Sequence, residues 1–132
     1  MNKHNQMLLM ANLLAMLLLL ASCASLPDWA VEHGIRIGRA IAAEYAPERS
    51  QVADAISEAL AEVQKYIDAY KMEPLPSDYR LALSMALADQ GLTPEQVQGI
   101  LDKVFPPPDA IPAGLGQRTM NQYLMSIADE LR

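Results

Sequence analysis

Cys23 is the only thiol in the 132 residues, and it stands directly after Leu20, Ala21 and Ser22 at the end of an apolar run. A lone thiol forms neither an internal disulfide nor a thiolate zinc cluster, which leaves it the chemistry of a single soft nucleophile. His33 has Glu32 beside it and Asp28 and Ile37 about one turn away. One imidazole among carboxylates at helical spacing is not a metal-ligand set, so no metal residue is assigned. A Ser-His-Asp arrangement would have to bring Ser50, Ser57, Ser77, Ser84 or Ser126 to His33, and no glycine-flanked serine marks a nucleophile elbow. The sixteen acidic side chains supply carboxylates, but nothing singles out a pair, and a small helical domain has little room for a sugar cleft. The expectation is a protein that is not an enzyme and has no catalytic residue.

The elements that carry Cys23 are legible. Residues 1–6 are polar and include Lys3 and His4, and residues 7–21 are apolar except for Asn12. This is the n-region and h-region order of an export signal. As a helix the apolar run covers roughly 22 Å at about 1.5 Å per residue, short of the ~30 Å hydrocarbon core. A cleaved signal is therefore a better reading than a permanent span.

With Leu20-Ala21-Ser22-Cys23 at its end, the segment resembles a bacterial lipoprotein precursor, whose lipobox is Leu, a small residue, then Gly, Ala or Ser, then Cys. The resemblance covers residues 1–24 only. It implies a diacylglyceryl group on the Cys23 thiol, cleavage between Ser22 and Cys23, and acylation of the new α-amino group. These covalent lipids are the only non-protein groups expected; no other cofactor is. At about 0.8 kcal/mol per buried methylene, two or three chains hold a protein stably on a bilayer where one holds it marginally. Ala24, not Asp, follows the cysteine. In a Gram-negative cell the resemblance then implies the outer membrane, facing the periplasm, and in a Gram-positive cell the outer face of the single membrane.

The chain divides accordingly into a signal peptide (1–22), a lipidated N-terminus with a short tether (23–27) and a helical domain (28–132). Cleavage leaves 110 residues with nine basic and sixteen acidic side chains. That excess of negative charge repels nucleic acid phosphates. The tether reaches roughly 14 Å at full extension, so the domain must sit close to the bilayer.

All nine prolines lie after the signal segment and separate stretches of helical periodicity, with no period-two strand pattern. The expected fold is all-α, a small bundle of about five short helices. The first runs from 27 or 28 to 45, with Ser25 or Asp28 near its cap and Glu32 paired to Arg36. In it Ala30, Gly34, Gly38 and Ala42 recur every fourth residue as a groove for another helix, within the chain or in an oligomer. The second spans 47 to about 71, with a stripe of Val52, Ile56, Ala59, Val63, Tyr66 and Tyr70 widened by Ala53, Leu60 and Ile67. It reads as a core-facing helix in preference to a coiled-coil seam.

The third helix opens at Ser77 or Asp78, passes through Leu81, Leu83, Met85 and Leu87, and closes at Gly91. The fourth has Thr93 as N-cap, Pro94 at its first position, Gln96 completing a capping box and Leu92 stapled onto Val97, with Ile100, Leu101, Val104 and Phe105 on its apolar face. Pro106, Pro107 and Pro108 then impose a polyproline II connector. A turn-rich passage (109–118) precedes the last helix, capped by Thr119 with Gln122 and lined by Met120, Leu124, Ile127 and Leu131. The third and fourth helices resemble a DNA-binding helix-turn-helix in spacing only. The second of the pair presents Glu95, Gln96, Gln98 and Asp102 with Lys103 as its one base, so an αα-hairpin is the better reading.

The expected function is a lipid-anchored envelope protein that acts as a non-catalytic protein-interaction or structural module. Its partners would be the membrane, through the lipid, and an envelope protein, with a homo-oligomer as another outcome and no nucleic acid. Trp29, Gly34, Gly38, Tyr66 and Tyr70 are the candidate interaction surface. Trp29 reads equally as a headgroup anchor or as a ring buried on the second helix. The alternatives are a small ligand-binding or hydrolytic lipoprotein, or a phage- or plasmid-derived lysis or exclusion lipoprotein. A closed polar pocket around His33 would favour ligand binding, and an exposed patch at Tyr66, Tyr70 or Met72 would favour the interaction module.

Overall fold

A computed structural model describes residues 3–106 and 116–132 of the chain. Before Trp29 side chains are described at only a few positions, so those of Leu20, Ala21, Ser22 and Cys23 lie outside the described residues, as do Pro107, Pro108 and most of the turn-rich passage after them. The described secondary structure is all-α: α1 (Lys3–Glu44), a 3₁₀ turn (Ala46–Glu48), α2 (Arg49–Tyr70), α3 (Pro76–Asp89), α4 (Pro94–Val104) and α5 (Gln117–Leu131).

The five helices form a bundle in which α5 lies between α1 and α2, α3 covers another side of α2, and α4 bridges α3 and α1. One apolar core runs through it, contributed by Ala30 and Ile41 of α1, Val52 to Val63 of α2, Tyr79 to Leu87 of α3, Val97 to Val104 of α4 and Met120 to Leu131 of α5. No charged or polar residue is buried among the described residues, and no buried side-chain nitrogen or oxygen lacks a hydrogen-bond partner.

Several local expectations hold for stated reasons. Thr93 Oγ1 accepts from the Gln96 amide at 3.2 Å while the Thr93 amide donates to Gln96 Oε1 at 3.0 Å, the reciprocal capping box of α4. Leu92 and Val97 are both buried as the staple requires. Gly91 ends the α3 hairpin at φ 87°, a region closed to most side chains. Lys71 closes α2 in the left-handed region at φ 53° without being a glycine.

Other expectations are corrected. The first helix has no start near Ser25 or Asp28, because the backbone is helical continuously from Lys3 to Glu44 in the uncleaved chain. Arg36 makes no ion pair with Glu32 among the described residues, and α1 is instead fastened by Arg39 Nε to Glu130 Oε1 of α5 at 3.2 Å. Helix α3 begins at Pro76, where Asp78 Oδ2 accepts from the Leu75 amide at 2.7 Å. Helix α5 begins at Gln117 with Gly116 before it, which places Thr119 inside the helix and removes its capping role.

Candidate functional site

The alternation Leu81, Leu83, Met85, Leu87 cannot face one side of a helix. At about 100° per residue, 83 and 87 share one face and 81 and 85 lie on another, roughly 200° away. Leu83 and Leu87 accordingly fill the core, while Leu81 and Met85 are 63% and 62% exposed. The four apolar residues through which the third helix passes are thus divided between two faces. The two exposed side chains form one wall of a groove of about 360 Å³ between α2 and α3.

The floor of the groove is Val63, Ala82 and Ala86, Tyr66 closes one end, and the carboxylates Glu58, Glu62, Asp78 and Asp89 stand around it. No lysine or arginine lines it, and the nearby Lys65 pairs with Glu62 at 3.1 Å. The groove can therefore take apolar side chains from a partner whose flanks are basic. Asp78 is engaged by the Leu75 amide; the acids form no dyad with a nucleophile or base that would suggest bond-breaking chemistry.

The Tyr66 and Tyr70 stripe runs off the end of the core. Gln117, the first residue of α5, donates its Nε2 to Gln64 Oε1 of α2 at 3.4 Å, which sets the two residues level. Beyond that level α5 no longer covers α2, so Tyr66 and Tyr70 stand exposed and rest against each other with ring centroids 5.0 Å apart. Met72 and Leu75 in the following connection are exposed as well.

The other candidate surface residues lie inside the fold. Gly34 and Gly38 are covered by α5: a β-carbon at position 34 would stand 2.6 Å from Ser126 Cβ, and one at 38 would stand 2.7 Å from Glu130 Cβ. The small-residue groove thus serves packing within the chain. Trp29 stacks on His33 at 5.2 Å, and His33 stacks on Tyr123 of α5 at 5.4 Å, both at 17° between planes. Trp29 is half-buried at the end of that column and packs against the core.

Burial of the imidazole, reinforced by Arg36, holds the His33 pKa below its ordinary value. The aromatic column leaves it no carboxylate partner, and His33 does not line the groove. Among the described residues no group of His, Cys, Asp and Glu is arranged to hold a metal ion. No helix among them is long and apolar enough to cross a membrane.

Two residues that carry polar contacts inside the bundle were not singled out from the sequence. Tyr123 donates its hydroxyl to the Val104 carbonyl at 2.7 Å, and its burial raises its pKa. Tyr79 donates to Asn121 Oδ1 at 3.0 Å, and burial pushes its pKa up to about 12. The only available signal was their i±4 spacing to the apolar stripes, Tyr79 with Leu83 and Tyr123 with Ile127. No protein-family model, curated protein or solved structure matches the chain.

Proposed function

We propose that the chain is a bacterial envelope protein held at the membrane by lipid on Cys23, where it acts without catalysis by binding another protein in the groove between α2 and α3. The observation that carries the binding role is that groove: an open apolar floor with Leu81 and Met85 exposed on its rim and four carboxylates around it. Apolar side chains left in water at this density are characteristic of docking faces. The carboxylate ring favours a partner segment with an apolar stripe flanked by lysine or arginine. The lipid anchor rests on Leu20-Ala21-Ser22-Cys23 at the end of the apolar run.

The test is in-cell photo-cross-linking from a photoreactive amino acid placed at position 81 or 85, with position 95 at the start of α4 as control. Recovery of one dominant envelope protein from 81 and 85, but not from 95, is the expected result. Equal recovery from all three positions, or none, overturns the groove as docking face. Links only between copies of this chain would make the partner a second copy. The anchor is tested separately, since Cys23→Ser should leave an unprocessed precursor that takes up no labelled fatty acid.

A further inference from the structure

We infer that the end of the bundle formed by Tyr70, Met72 and Leu75 rests on the lipid surface beside the anchor, so that the domain is oriented on the membrane and not merely tethered to it. This rests on the reading that the N-terminal segment holds the chain at a bilayer, and adds where the domain touches it. The argument is one of direction. Gly34 lies over Tyr123 and Ser126, and Gly38 over Ile127 and Glu130, so α1 and α5 run parallel. The chain before Trp29 therefore leaves the bundle at the end where α5 begins.

Helix α2 runs the other way along α5. Ser57 Oγ accepts from Arg132 at 2.7 Å near the C-terminal end of α5, whereas Gln64 meets Gln117 at its start. The last turn of α2 and the connection into α3 consequently lie at the end from which the anchor segment departs. Cys23 is six residues before Trp29, a separation of roughly 9 Å along a helix at about 1.5 Å per residue.

At that same end Tyr70 is 66%, Met72 58% and Leu75 63% exposed, with the Tyr66 ring tilted against Tyr70. Tyrosines with neighbouring aliphatics are the side chains favoured at the headgroup boundary, where the ring is apolar and the hydroxyl stays wet. Pro74, between Met72 and Leu75, is buried and pins the connection to the bundle. Lys71 and Arg118 stand at this end with Asp68, Glu73 and Asp78, two basic against three acidic side chains, so its charge is nearly balanced despite the acidic chain. The groove runs from Tyr66 and Asp78 towards Glu58 and Asp89, away from the lipid, which leaves most of its length open to a partner.

The test uses the full chain purified from bacterial membranes and reconstituted into phosphatidylethanolamine vesicles that contain a diazirine-bearing phospholipid. After photolysis, lipid adducts are mapped by peptide. Adducts on the peptide carrying residues 70–75, with none on the peptide carrying 94–104, are expected. Tyr70→Ser/Met72→Ser/Leu75→Ser, all at exposed positions, should lower that yield several-fold while circular dichroism shows the helical fold retained. Adducts confined to residues before Trp29, or a yield unchanged in the triple variant, overturn the contact. Intact mass of the same sample reads acylation of Cys23 separately. A bare thiol on a chain that still carries residues 1–22 would refute the anchor, while the adduct map of the same sample still reads the contact.

Discussion

Gly38 of α1 lies so close to Glu130 of α5 that a β-carbon added at position 38 would stand 2.7 Å from Glu130 Cβ, and Gly34 meets Ser126 in the same way one turn earlier. The α1–α5 seam depends on these two missing side chains. Gly34→Val should therefore push the helices apart and cost about 1–3 kcal/mol, the usual range for overpacking. Chemical denaturation of the purified protein checks this; unchanged stability would mean that α1 does not sit on α5 as described.

Tyr123 supplies the hydrogen bond that closes α4. The Val104 carbonyl is in the last turn, where helix carbonyls lack an intrahelical donor, and the Tyr123 hydroxyl reaches it at 2.7 Å in a buried setting. Tyr123→Phe keeps the ring stacked on His33 but leaves the carbonyl unpaired, so a loss of about 1–3 kcal/mol is expected. The measurement is the shift in the urea midpoint at constant slope.

His33 should give stability a dependence on mildly acidic pH. Its pKa is lowered in the folded protein by burial and by Arg36, so between the folded and unfolded values the unfolded chain binds more protons. Stability is then complete above the ordinary histidine pKa of about 6.5, falls as pH drops below it, and stops falling once pH is below the folded value. Thermal melts from pH 7.5 to 5 should show this slope, and His33→Gln should flatten it.

The turn between α3 and α4 should be sensitive at one position and the cap beside it at another. Gly91→Ala forces a β-carbon into φ 87° and should cost about 1–2 kcal/mol even though nothing crowds the site. Thr93→Ala removes the side-chain acceptor of the Gln96 amide and should cost about 1 kcal/mol. The two positions share one turn, so the double variant is expected to depart from additivity. Equilibrium unfolding of the three variants decides it.

Much of the bundle can be derived from the order of residues, because the signals concerned are local. Helices α2 and α4, the left-handed turn at Gly91, the Thr93 capping box and the apolar faces of α4 and α5 depend on contacts within a few positions. Cys23 with its flanking residues likewise supports the anchor reading from sequence. Tertiary structure alone decided which of two apolar faces would be covered. Leu81 and Met85 carry as much hydrophobicity as Leu83 and Leu87, and Tyr66 and Tyr70 continue the stripe of Val52 to Val63, yet these four stay exposed. The outcome turns on where a neighbouring helix ends: α5 begins level with Gln64, and among the described residues no helix packs over Leu81 and Met85 on the outer face of α3. The length of a partner element and its placement across the core are not encoded in the periodicity of either helix, and they create both the groove and the exposed end of the bundle.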